Sequence, residues 1–174
     1  VVAYSLAITE IAKGCASHAV TTSVTNMVAE VIYEFGQEEI KRKHVPKLCS
    51  GQYPAGSFSI TEPHTGSDAA NLRTTAIRKS DTYVLNGSKT LITSGEASGV
   101  TVTWAVTDRN AKKGKGSSAF VIEKGTPGFR PGRKERKLGV RCSDTAQLIM
   151  EDAEVLADNL LGEINHGYVD ILKI

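Results

Sequence analysis

The sequence predicts an α+β protein: N-terminal α-helices followed by an antiparallel β-barrel of about seven to eight strands, with the start of a further helix at the C-terminus. Three patterns predict it. Apolar residues recur every three or four positions before Ala55, β-branched residues alternate with polar ones from there to about Glu151, and a helical period resumes near Asn165.

Tyr4, Ile8 and Ile11 stand at i, i+4 and i+7, and Val20, Val24, Met27, Val31 and Phe35 repeat at three and four residues. Thr21, Thr22, Ser23 and Thr25 have modest helix propensity, which the apolar period outweighs. Gly14 and Gly36 fall where left-handed residues end helices. A third helix is expected from Gln37, because Glu38 and Glu39 at its front and Lys41, Arg42 and Lys43 behind complement a helix dipole. Pro46 is expected to bend or restart it.

In the strand region Val100, Val102, Trp104 and Val106 alternate with Thr101, Thr103 and Thr107. Further strands are expected over 56–61, 74–79, 82–86, 89–93, 119–123 and 147–150. So many short strands without intervening helical segments favour antiparallel pairing, since parallel neighbours need crossover connections. The last helix presents Tyr168, Ile171 and Leu172. Residues 1–54 are thus expected to be the end of a helical domain, 55–162 a β-barrel domain, and 163–174 the start of another helical domain. Apolar helical patterns reach both ends uncapped, so a fragment of a longer protein is expected.

Composition narrows the function classes. Of 174 residues, 40% are apolar and 23% charged, which fits a soluble globular chain rather than a disordered or membrane-spanning one. Lys and Arg total 21 against 19 Asp and Glu, so there is no basic footprint for nucleic acid, and no membrane surface or targeting signal is indicated. Cys15, Cys49 and Cys142 form no CxxC pair, implying a reducing compartment without disulfides. His18, His44, His64 and His166 lack metal-ligand spacing; no metal site is expected, and each is read as a surface or helix-end residue.

One loop carries chemistry. Phe58-Ser59-Ile60-Thr61-Glu62-Pro63-His64-Thr65-Gly66-Ser67-Asp68 leaves a strand and enters a tight polar turn before the short apolar stretch at 69–72. Gly66 permits close backbone approach, Thr65 and Ser67 supply hydroxyls, and amides at the start of a helical turn can cradle a phosphate. A turn capping a helix has much the same composition.

The same stretch resembles the signature of acyl-CoA dehydrogenases, hydrophobic-x-hydrophobic-Thr-Glu-Pro-x-x-Gly-Ser-Asp. Leu85-Asn86-Gly87-Ser88-Lys89-Thr90-Leu91-Ile92-Thr93-Ser94-Gly95 is similar to that family's next marker, Asn-Gly-x-Lys-x-aromatic-Ile-Thr-Asn-Gly. The segment from Gly132-Arg133-Lys134-Glu135 through Lys137-Leu138-Gly139 to Asn159-Leu160-Leu161-Gly162 resembles the end of the family's middle domain. Leu91 and Ser94 depart from it, standing where many members carry an aromatic residue and Asn.

The resemblance implies a middle-domain β-barrel lying against the flavin of FAD. Phe58, Ile60 and Thr61 would line the flavin, with Thr61 at its pyrimidine edge. Gly66 and Ser67 would lie near the pyrophosphate, Ser67 also approaching the acyl-CoA thioester arm. Leu91, Ile92 and Thr93 would pack on the ring, the Thr93 hydroxyl near the nitrogen that receives hydride. Lost aromatic stacking at Leu91 is worth about 0.5–1.5 kcal/mol.

The implied reaction is α,β-dehydrogenation of an acyl-CoA, with electrons passed to an electron-transferring flavoprotein and a homo-oligomeric complete protein. No catalytic residue is assigned: nothing matches the family's base, and Glu163 and Asp170 are both read as solvated. The isolated chain is expected to be silent. Localisation is expected to be intracellular, cytoplasmic if bacterial and in the mitochondrial matrix if eukaryotic. An acyl-CoA oxidase, a flavin monooxygenase of the same superfamily and a non-catalytic β-barrel binding module are the alternatives. The basic runs at 109–115 and 130–141 read as solvated loops, the first also as a CoA-edge loop.

Overall fold

The computed structural model describes residues 2–173. Three helices, α1 (Val2–Gly14), α2 (Ala16–Phe35) and α3 (Glu38–Cys49), precede the strands. These are β1 (Gly56–Ser59), β2 (Thr75–Lys79), β3 (Thr82–Thr93), β4 (Val100–Val106), β5 (Ser117–Glu123), β6 (Phe129–Lys134), β7 (Thr145–Leu156) and β8 (Leu160–Leu161), with α4 (Gly167–Ile171) last.

Helix α2 buries Val28, Val31 and Ile32, which join Ile40 and Leu48 of α3 against Val100, Val102 and Trp104 of β4 and Val121 of β5. The front of the expected stripe is not core. Val20 is exposed, and α1, which lies against α2 through Tyr4 Oη and Ser23 Oγ at 2.8 Å, buries no residue. Neither expected left-handed glycine is left-handed: Gly36 is extended at φ −75° and ψ 151°, and Gly14 has no positive φ. Cys15 and Gln37, extended N-caps of α2 and α3, turn the chain instead. Helix α3 also runs through Pro46 without a restart. So near the helix end, proline removes one backbone bond and the flanking turns hold.

His44 on α3 is fully buried, not at the surface, and its Nδ1 lies 3.2 Å from Tyr53 Oη while Nε2 has no partner. Burial lowers its pKa, with Glu123 opposing and Lys43 and Lys47 adding to the decrease.

The eight strands form one sheet in the order β6-β7-β3-β2-β4-β5-β8, with β1 alongside β4. The pairing is mostly antiparallel. The exceptions are β1 with β4 and the single Thr75–Val106 contact, which the long connection through β2 and β3 allows to run parallel. The stretches expected at 82–86 and 89–93 are one strand, because the register shift at Leu85/Gly87 is a bulge and not a turn. β7 is longer than expected, and β6 and β8 were not foreseen: β6 carries Pro131 and Gly132 at an exposed sheet edge, and β8 has two residues.

Tyr83 and Leu85 of β3, Ala105 of β4, Phe120 and Ile122 of β5, and Met150, Ala153 and Val155 of β7 form a second core. One sheet therefore supplies both walls around these side chains. At the far end Trp104 Nε1 donates to Gly167 O at 3.0 Å, fixing α4. Asp170 of α4 is buried rather than solvated, its Oδ1 3.2 Å from Lys173 Nζ, whereas Glu163 is exposed. Among the described residues, no helix is long and apolar enough to cross a membrane.

Candidate functional site

The chain from β1 into the polar loop runs antiparallel beside the end of β3. Ser57 Oγ donates to Thr93 O at 3.1 Å and Ser94 O at 2.9 Å, and Thr90 N donates to Thr61 O at 2.9 Å. Phe58, Ile60 and Thr61 are thereby laid against Leu91, Ile92 and Thr93. The Phe58 ring packs on Trp104 with centroids 4.5 Å apart.

Three polar groups on the half-buried Thr61 and Thr93 lack partners along this seam. Thr61 N–H, Thr61 Oγ1 and Thr93 Oγ1 make no hydrogen bond among the described residues. Leu91 is 61% exposed and holds φ +58°, at the register shift between Lys89 and Ile92. A bulge there turns one side chain out of the strand while Ile92, 2% exposed, stays in the core and has only its backbone to offer.

Gly66 and Ser67 are exposed on the loop beyond, Gly66 lying against Thr61: a Cβ on Gly66 would meet only Thr61 Cγ2, at 3.8 Å. Neither crowding nor a positive φ demands glycine at 66. The stretch at 69–72 is turn and irregular backbone rather than helix, so no helix N-terminus faces this loop.

Two charged residues were not singled out from the sequence. Lys89 is 0% exposed and Glu62 2%, with Nζ and Oε1 2.8 Å apart. Lys89 Nζ also donates to Ile60 O at 3.2 Å, and the Glu62 carboxylate accepts from Arg73 N at 2.7 Å and Thr74 N at 3.0 Å. Burial opposes the charge on Glu62, but Lys89 and these hydrogen bonds outweigh it and hold the carboxyl below its usual range. Burial brings Lys89 down to about 8 against the pull of Glu62. A signal existed: Lys89 shares the inward parity of Tyr83 and Leu85, and an inward lysine needs a carboxylate.

The Asn-Gly preceding it is also explained. Gly87 has φ +151°, and a Cβ there would sit 2.6 Å from Thr74 Oγ1, so the bulge admits only glycine. The run at 109–115 reaches the loop through Lys113 Nζ and Asp68 Oδ2 at 2.7 Å. In the run at 130–141, Arg130 pairs with Glu151 and Lys134 with Glu96 at the surface.

An eight-stranded sheet with a helical layer on β1 and β4, and a seam of unpaired donors at its edge, defines a class that sequence comparison specifies. Residues 57–153 match the acyl-CoA dehydrogenase middle domain and residues 1–52 its N-terminal domain, and the chain belongs to this family. It is 49% identical over 169 residues to the acyl-CoA dehydrogenase of Bacillus subtilis (strain 168), covering 97% of this chain and 44% of that protein. It superposes on the butyryl-CoA dehydrogenase from Megasphaera elsdenii with a TM-score of 0.92 at 41% identity, covering 97% of this chain and 44% of the other. A chain from a structure of the electron transferring flavoprotein of Acidaminococcus fermentans matches with a TM-score of 0.87 at 42% identity, over 90% of this chain and 41% of its own length. The chain spans less than half the length of these relatives.

Proposed function

We propose that this chain is the flavin-facing part of an FAD-dependent acyl-CoA dehydrogenase, which oxidises the α,β bond of an acyl-CoA thioester and passes electrons to an electron-transferring flavoprotein. The observation that carries this reading is the seam, where unpaired donors of Thr61 and Thr93 flank an outward bulge and an open glycine. FAD, when bound, supplies the hydride acceptor. Thr61 N–H and Oγ1 hold the pyrimidine edge, Phe58, Ile60 and Leu91 border the ring, and the Ile92 backbone adds polar groups. Gly66 and Ser67 give the pyrophosphate close approach, and Ser67 also meets the thioester arm. Thr93 Oγ1 would offer a hydrogen bond to the hydride-accepting side of the bound flavin, where a placed donor stabilises developing negative charge.

No residue of this chain stands as the base for the α-proton. Glu163 lies on a surface turn and Asp170 is enclosed beside Lys173. The isolated chain is accordingly silent in turnover, and the complete protein is a homo-oligomer. The testing experiment is an anaerobic titration of the full-length flavoprotein with acyl-CoA thioesters, beginning with butyryl-CoA because of the Megasphaera likeness. Bleaching of the visible flavin band is the expected result. Bound flavin that no thioester bleaches would overturn the reaction and leave a monooxygenase or a binding module.

A further inference from the structure

Buried ion pairs seldom stabilise a fold, because the desolvation of two charges roughly cancels their attraction. The pair formed by Lys89 and Glu62 is buried on both sides and yet reaches well beyond itself. The ammonium bridges the Ile60 carbonyl and the Glu62 carboxylate, the residues on either side of Thr61. Thr61 O is itself taken by Thr90 N, next to Lys89. Three consecutive residues of the loop are thus tied to two consecutive residues of β3, while the Thr61 N–H and hydroxyl have no partner among the described residues.

The other half of the pair orders the far side of the same loop. The Glu62 carboxylate receives the N–H groups of Arg73 and Thr74, and its backbone closes a tight turn with Thr65 through bonds of 2.9 and 3.1 Å. His64 Nε2 lies 3.0 Å from Asn71 O and 3.6 Å from the Glu62 carboxylate, and Thr65 Oγ1 donates to Asp68 O at 2.7 Å. Gly66 and Ser67 ride on this turn.

We propose that Lys89 and Glu62 are positioning residues for the flavin: by clamping residues 60–62 to β3 they fix the free Thr61 donors and the Gly66–Ser67 turn in one arrangement. This rests on the FAD reading above. The pair touches no substrate and acts only through Thr61 and the turn. An apolar core could replace its contribution to stability, but not its grip on the Ile60 carbonyl.

The test uses the full-length flavoprotein, stripped of FAD and reconstituted, in wild-type, Lys89→Met and Lys89→Met/Glu62→Gln forms. Thermal unfolding of the apoprotein, the FAD dissociation constant and the position of the visible flavin band are measured for each. Lys89→Met leaves a buried carboxylate unpaired, so it lowers the unfolding midpoint and weakens FAD. The double variant removes the unpaired charge: its midpoint returns toward wild type, while FAD stays at least about tenfold weaker and its band shifted. A purely structural pair would recover midpoint and affinity together, and FAD binding within about threefold of wild type in a refolded double variant overturns the proposal.

Lys89→Leu/Glu62→Gln, which likewise leaves no donor for the Ile60 carbonyl, replaces the double variant if that fails to fold; the same two outcomes decide. Combining Lys89→Met with Thr61→Val supplies an independent check. If Lys89 acts through Thr61, the two losses of affinity are less than additive; full additivity overturns the mechanism. A wild-type protein that takes up no FAD at all overturns the cofactor reading and this proposal with it, a result distinct from flavin held equally well by every variant.

Discussion

On β4 and β5 the strand alternation sends Val102, Trp104 and Val121 toward the helices and Ala105, Phe120 and Ile122 toward the opposite core, and the Trp104 indole finds its acceptor at Gly167. The seam formed by residues 57–62 and 89–94 is built differently. It contains a buried ion pair, two non-glycine residues with φ near +58°, and hydroxyls without partners. The two regions touch, since the Phe58 ring packs tilted on Trp104, so local environment does not account for the contrast. One region satisfies its own groups and holds the fold; the other holds groups and strain that the fold does not need, which is what a ligand surface requires.

The comparison breaks first if the core is not the main source of stability. Trp104→Ala removes a fully buried ring, its packing on Phe58 and the hydrogen bond that fixes α4, and should cost about 3–5 kcal/mol in denaturant unfolding. A loss under about 1 kcal/mol would place the principal core elsewhere. Thr93→Val tests the opposite region. Its hydroxyl bonds nothing in the fold, so the unfolding midpoint should hold while flavin reduction by acyl-CoA in the full-length protein slows by about 10²-fold or more. Equal rates would remove Thr93 from the chemistry.

Much of the fold was legible because period is a property of sequence. The α2 helix and the β4 and β5 strands were placed within a few residues, whereas of the apolar stripe beginning at Val20 only Val31 is fully buried and Val20 itself is exposed. Periodicity reports a face and not what covers it. β6 and β8 were invisible for a related reason: an edge strand with Pro131 and Gly132, and a strand of two residues, hold their place through partners distant in sequence. At the candidate site the motif residues were legible by resemblance alone. Lys89 and Glu62 are 27 positions apart, and only the fold makes their charges one object.

His44 sharpens the contrast from the helical side, where one polar group sits inside the core. Its folded pKa is lowered, by burial above all, so below the unfolded value near 6.5 the unfolded chain binds more protons and stability is lost as pH falls through that window. Glu62, also lowered, adds a loss in the same direction below its own unfolded value near 4.5. Urea midpoints should therefore decline between pH 7 and pH 5, and His44→Gln should flatten that decline. An identical slope in the variant would show that His44 is not the titrating group.

Leu91 offers the smallest effect and the most specific one. In an ordinary strand, glycine is less stable than alanine by about 0.5–1 kcal/mol, because it loses more backbone entropy and packs nothing. At φ +58° the order reverses, since alanine retains the Cβ clash that glycine lacks, a clash worth about 1–2 kcal/mol. Both substitutions discard the same half-exposed leucine side chain, so its lost packing cancels when the two are compared. Leu91→Gly should accordingly unfold at higher denaturant than Leu91→Ala. At Ile77 of β2, which is equally exposed and has no positive φ, the glycine variant should be the weaker of the two. Should both positions rank glycine below alanine, the bulge carries no strain, and the seam would differ from the core in its buried charge and free hydroxyls but not in its backbone.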